Sequence, residues 1–84
     1  MMQRTEILAR IGRVISGVLG RPVELSRATT AKDVADWDSL RHILIIAGTE
    51  QAFGIQFSSA EMDSLQTVGD FVDLIGRKTG TAPS

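Results

Sequence analysis

Cysteine is absent from the 84 residues, which removes disulfides, zinc-thiolate sites and a cysteine nucleophile at a stroke. Any thiol chemistry must therefore come from a group that the chain does not encode. Also missing is an apolar run near the roughly 18–20 residues needed to cross a bilayer, and the N-terminus lacks a signal-peptide apolar region with a small-residue cleavage site. The expectation is a cytoplasmic protein with no membrane association. Arg4, Arg10 and Arg13 on an amphipathic pattern imitate an organelle transit peptide, but Glu6 and the core role of the same stretch favour a first helix. A basic stripe is lacking as well. Residues 1–32 hold six cations and two anions, residues 33–76 hold one cation and eight anions, and residues 77–84 add two cations, giving a net charge of -1. An acidic middle does not suit nucleic acid, so basic protein surfaces are the expected partners.

What remains is ordinary for a small folded protein: 43% apolar and 23% charged residues, with room for one domain that buries about 60–65% of its unfolded surface. Ile7, Leu8, Ile11, Val14, Ile15, Val18 and Leu19 recur at three-and-four spacing, which predicts a helix from Thr5 that stops at Gly20-Arg21-Pro22. Residues Arg21 to Trp37 show no sustained helical period, yet Val23, Leu25, Val34 and Trp37 allow them to pack as a long loop. A second helix is predicted from Asp38 or Ser39 to Phe53, capped by Gly54 with Ile55 in apolar contact. Ser58-x-x-Glu61 predicts a short third helix. Thr67-x-x-Asp70 opens a fourth, with Val68, Phe71, Val72 and Ile75 on one face and Arg77 and Lys78 at its negative end. The fold class expected is all-α, a four-helix bundle; residues 1–79 form the domain and 80–84 a flexible C-terminal tail.

Generic reading ends at Ala35-Asp36-Trp37-Asp38-Ser39-Leu40-Arg41-His42-Ile43. This window resembles the Asp-Ser-Leu signature of the acyl carrier protein family, whose members are of acyl or aminoacyl/peptidyl type, and the resemblance spans nearly the whole chain. Thr29 to Leu40 looks like the family's loop before its modified serine, Phe53-Gly54-Ile55-Gln56-Phe57 like the end of its second helix, and Leu65 to Asp70 like the start of its fourth. The resemblance implies a non-catalytic carrier of four-helix acyl-carrier-protein type that holds an acyl or aminoacyl group as a thioester. It makes Asp38, Ser39 and Leu40 the motif and Ser39 the attachment point of a covalent 4'-phosphopantetheine from coenzyme A. The implied partners are a phosphopantetheinyl transferase, a loading ligase or acyltransferase, and downstream acyl-using enzymes of fatty acid, polyketide or nonribosomal peptide biosynthesis. A monomer is expected.

Physical chemistry supports the same serine, since a phosphodiester at a helix N-terminus meets free N-H groups and the positive end of the dipole. A second Asp-Ser-Leu stands at Asp63-Ser64-Leu65, but only 20 residues follow Ser64, too few for the helices still required, whereas Ser39 has 38 before it and 45 after it. Ser64 reads as a turn residue. His42, three residues after Ser39, suggests a nucleophile and base, but no orienting acid or oxyanion signature completes a small hydrolase. Asp36 and Asp38 could help hold the metal used by the modifying transferase; no metal site of the protein's own is expected.

Helix two is apolar around more than one face. His42, Ile45, Ile46, Thr49 and Phe53 form one stripe and Leu40, Ile43, Leu44, Ala47 and Gln51 another, so a small protein should expose one of them to partners unless the long loop covers both. The partner surface expected comprises Asp36, Trp37, Leu40, Arg41, Ile43, Leu44, Ala47 and Gln51. Trp37 has a competing role, pinning the loop. Gly48, costly inside a helix, is expected at a close helix contact. An unmodified helical adaptor that binds proteins through the same stripe is the rival from another class.

Overall fold

The computed structural model describes residues 3–80 and contains four α-helices: α1 (Arg4–Leu19), α2 (Ser39–Phe53), α3 (Ser59–Asp63) and α4 (Val68–Thr79). The all-α expectation holds. α1 begins one residue earlier than Thr5, because the Gln3 carbonyl already accepts the Ile7 N-H at 3.0 Å. Its buried face is Ile7, Ile11 and Ile15, the middle of the predicted stripe, and it packs against both α2 and α4.

Close approach of α1 and α2 explains Gly48. A Cβ there would stand 3.0 Å from Val14 Cγ1, so the missing side chain is what lets the two helices meet. Nearby, the Arg10 guanidinium lies over the Phe53 ring at 4.7 Å and donates to the Ala52 carbonyl, tying α1 to the end of α2. α2 then ends on Gly54 at φ 65, a left-handed position that glycine adopts without steric cost, and half-buried Ile55 follows as expected.

The long loop is less irregular than its sequence suggests. A turn of 3-10 helix, Ala31–Asp33, opens on a reciprocal capping box in which Thr30 and Asp33 satisfy each other's backbone N-H groups. The same Thr-x-x-Asp spacing at Thr67 and Asp70 opens α4, and the two boxes lie side by side through a bridge between Thr30 and Thr67. Val68 N-H donates to the Thr29 carbonyl and Gly69 N-H to the Arg27 carbonyl, each at 2.9 Å, so the loop satisfies N-H groups that the start of α4 leaves over. Asp73 adds a second fastening, accepting from Arg27 at 2.8 Å and from Arg4 at 3.1 Å.

The interior is Ile7, Ile11, Ile15, Ile45, Val68, Phe71, Val72 and Ile75, with Val34 and Trp37 supplied by the loop. α3 contributes half-buried Met62 and is held to α4 by the Glu61–Lys78 ion pair at 2.9 Å. Gly80 caps α4, and the rest of the expected tail, residues 81–84, lies outside the described residues.

The carboxyls of Asp38, Glu61, Asp70 and Asp73 all titrate below their ordinary range. Backbone N-H donors are the leading cause for the first three, and the Arg27 hydrogen bond for Asp73. Folded carboxylates that release protons more readily than unfolded ones contribute stability that is complete above the unfolded value and lost as pH falls through the folded one. The urea midpoint should therefore stay nearly level from about pH 7 to 5 and drop steeply below about pH 4. A midpoint that rises on acidification would contradict these assignments.

Candidate functional site

Ser39 is the first residue of α2, exposed, and its hydroxyl has no hydrogen-bond partner among the described residues. The helix starts here because Asp38 is its N-cap. Asp38 Oδ1 accepts the Arg41 N-H at 2.9 Å, while Oδ2 accepts from the Arg41 guanidinium at 2.8 Å. These bonds leave the N-H groups of Ser39 and Leu40 free at the positive end of a helix of 15 residues. A phosphoryl group on Ser39 Oγ would stand beside them. The donor set fits a phosphodiester.

Beside Ser39 lies a cleft of about 400 Å³ lined by Ala31, Trp37, Asp38, Ser39, His42 and Ile43. The Trp37 Nε1-H donates to His42 Nδ1 at 3.1 Å, and a ring that accepts on Nδ1 carries its own N-H on Nε2. Nδ1 is thereby occupied and Nε2-H is a donor, so this ring has no lone pair with which to take a proton from the serine. With no orienting carboxylate on it either, the hydrolase alternative finds no support in the geometry.

The second Asp-Ser-Leu is built differently. Ser64 closes α3, and its hydroxyl donates to the Glu61 carbonyl at 2.7 Å. A hydroxyl already bonded at the negative end of a five-residue helix is a poor place for a phosphodiester.

The two stripes of α2 separate cleanly. Ile45, Ile46 and Thr49 are buried, with His42 and Phe53 half-buried, while Leu40 and Ile43 are each 64% exposed, Leu44 is 48% exposed, and Ala47 and Gln51 face solvent. The long loop leaves the outer stripe uncovered. Trp37 is a correction to the expected partner surface: its side chain is 8% exposed and belongs to the core, because the loop needs an apolar anchor before the helix and the indole N-H finds its acceptor inside. Asp36 is exposed but bonded to Arg21 at 2.7 Å, as Asp38 is to Arg41, so the two carboxylates are not held as a ligand pair. Among the described residues no group of three or more His, Asp or Glu side chains could hold a metal, and no helix is long and apolar enough to cross a membrane.

Sequence reasoning missed the Trp37–His42 bond. The two side chains are five positions apart, and only the turn at Asp38 brings them together, so no helical spacing announces the contact.

Residues 9–75 match the family model described as the phosphopantetheine attachment site. The chain is similar to an acyl carrier protein of Acidothermus cellulolyticus, 32% identical over 82 residues that cover 96% of this chain and 98% of the relative. It is similar in the same degree to that of Thermotoga maritima, 32% identical over 95% of this chain and 100% of the relative. In three dimensions it resembles the solution structure of a holo acyl carrier protein from Geobacter metallireducens, with a TM-score of 0.78, 30% identity, and coverage of 92% of this chain and 94% of that one.

Proposed function

The chain belongs to the acyl carrier protein family, and on that premise we propose that Ser39 bears the arm and that the loaded protein delivers its acyl group to a series of partner enzymes. The family's prosthetic group is a covalent 4'-phosphopantetheine, and its members are carriers rather than catalysts. The observation that carries the assignment to Ser39 is its free, exposed hydroxyl on the first turn of α2, beside two unpaired backbone N-H groups. When attached, the group supplies a thiol on a flexible arm, the one functional group that a chain without cysteine cannot supply. The protein's own residues do the anchoring: Asp38 starts the helix, Ser39 offers the oxygen, and the first-turn N-H groups meet the negative charge. A tethered thioester then reaches each docked enzyme at high effective concentration. The domain that does this comprises residues 1–79.

Docking is proposed to use the exposed stripe Leu40, Ile43, Leu44, Ala47 and Gln51, with Asp36 and Arg41 at its edge. This departs from carriers that present an acidic second helix, because the stripe itself holds no acidic residue and Arg41, next to Leu40, is partly neutralised by Asp38. Recognition by the modifying transferase and by a dedicated loading ligase should therefore rest on apolar burial more than on charge. The test is loading of the holo-protein by its ligase, followed by acyl transfer to a second enzyme, at low and high salt. Salt shortens the Debye length from about 10 Å at 0.1 M to about 3 Å at 1 M, which weakens exposed charge pairs and barely touches apolar contacts. Leu44→Glu should lower kcat/KM for loading by about tenfold or more, since burying an unpaired charge costs more than 1.4 kcal/mol, while salt changes it little. A steep salt dependence with a harmless Leu44→Glu would show that recognition is electrostatic.

A further inference from the structure

We infer that the cargo is a short acyl group that stays at the surface, and that this chain does not take a long aliphatic chain into its bundle. The inference rests on the carrier reading and names the class of cargo for that same serine. The inner wall of the cleft beside Ser39 is aromatic and internally bonded. Trp37 donates to His42 at 3.1 Å, His42 meets Phe71 edge-on with centroids 6.2 Å apart, and Phe71 meets Phe57 in the same way at 6.4 Å. Four rings thus run from the attachment end of α2 into the centre of the protein.

An aliphatic chain folded back to the body at Ser39 meets this wall first. Behind it stand Ile45, Val68 and Val72, all at 0% exposure. An interior closed to solvent in this way and packed as protein cores are admits a guest only when side chains are displaced. Displacement here would also separate the Trp37 N-H from its acceptor and leave a polar group unpaired in an apolar place. A cargo of a few carbons has no such need, because it has little apolar surface to hide. The cleft suits it. Ala31 and Ile43 offer modest apolar contact, and Nε2-H of His42 is the remaining donor of the ring that lines the cleft, available to a carbonyl oxygen. The enzyme that supplies the cargo would then be one that activates a small carboxylic acid.

The test uses a promiscuous phosphopantetheinyl transferase to attach acetyl, butyryl and decanoyl arms from the matching coenzyme A thioesters, with intact mass confirming a single attachment at Ser39. Cleavage of each thioester by hydroxylamine and the amide shifts of Ile45, Phe71 and Val72 are then compared. The three forms should be cleaved at rates within about twofold of one another, with core shifts unchanged, because a chain left in water leaves its thioester open to attack. Decanoyl protected about tenfold or more, with shifts moving at Phe71 and Val72, would overturn the inference while leaving the carrier reading intact. Failure of any arm to attach at Ser39 would sink that reading, and this inference with it. His42→Ala removes one ring of the wall and should make protection depend on chain length; Trp37→Phe, which keeps an aromatic anchor but deletes the N-H, serves the same purpose if the first variant does not fold. Rates that remain flat in whichever variant folds would show that the aromatic wall is not the cause.

Discussion

Phe71→Ala is expected to leave much of the protein unfolded at 37 °C, whereas Leu44→Ala should shift stability by no more than about 0.5 kcal/mol. Phe71 is 2% exposed and is the ring on which both His42 and Phe57 pack, at the point where α4 faces α2. Truncating a buried phenylalanine typically costs about 3–5 kcal/mol in transfer energy and cavity formation. A domain of this size commonly has a total stability of about the same magnitude, so one such cavity can consume nearly all of it. The comparison with Leu44, 48% exposed on the outer stripe of α2, separates a folding surface from a docking surface on neighbouring elements. Urea titration followed by far-ultraviolet circular dichroism would decide it. A cooperative transition in Phe71→Ala weakened by less than about 1 kcal/mol would mean that the ring column is not central to the fold.

Much of this architecture could be read from local chemistry, because α2, α3 and α4 carry their own start signals and α1, α2 and α4 end on glycine. Asp38, Ser58 and Thr67 are caps within three residues of the groups they satisfy, and Gly20 and Gly54 take left-handed positions at the ends. The two stripes of α2 were legible as a pair, since seven apolar side chains cannot share one face of a helix; which stripe turned inward depended on where α1 and α4 lay. Gly48 was legible as a close contact but not as a contact with Val14.

The loop was harder. Thr30-x-x-Asp33 has the spacing of the box at Thr67, yet only three residues of helix follow, too few for a periodic signal to draw attention to it. Its fastening to α4 through Thr29 and Arg27 uses backbone carbonyls, which a side-chain pattern does not announce. Trp37 was misplaced toward partners for a related reason: its acceptor, His42, lies around the corner of the cap, and burial of an indole N-H is cheap only once that acceptor is in place.

Ser39→Ala is expected to abolish modification completely while leaving the fold intact, because Ser39 is the first residue of α2 and not its cap, and its hydroxyl bonds to nothing that holds the helix. Ser64→Ala should be modified as well as the parent protein. The Ser64 hydroxyl is engaged by the Glu61 carbonyl at 2.7 Å and stands at the C-terminal end of α3, where the dipole disfavours an added anion. The two serines share the Asp-Ser-Leu tripeptide, so a transferase that read only that tripeptide would treat them alike, and one that needs the first turn of a long helix would not. The measurement is the intact mass of the parent protein and of both variants after incubation with transferase and coenzyme A, with the modified peptide mapped. One added arm on Ser39 in the parent and in Ser64→Ala, and none in Ser39→Ala, is the result predicted; an arm on Ser64 in the Ser39→Ala protein would contradict it.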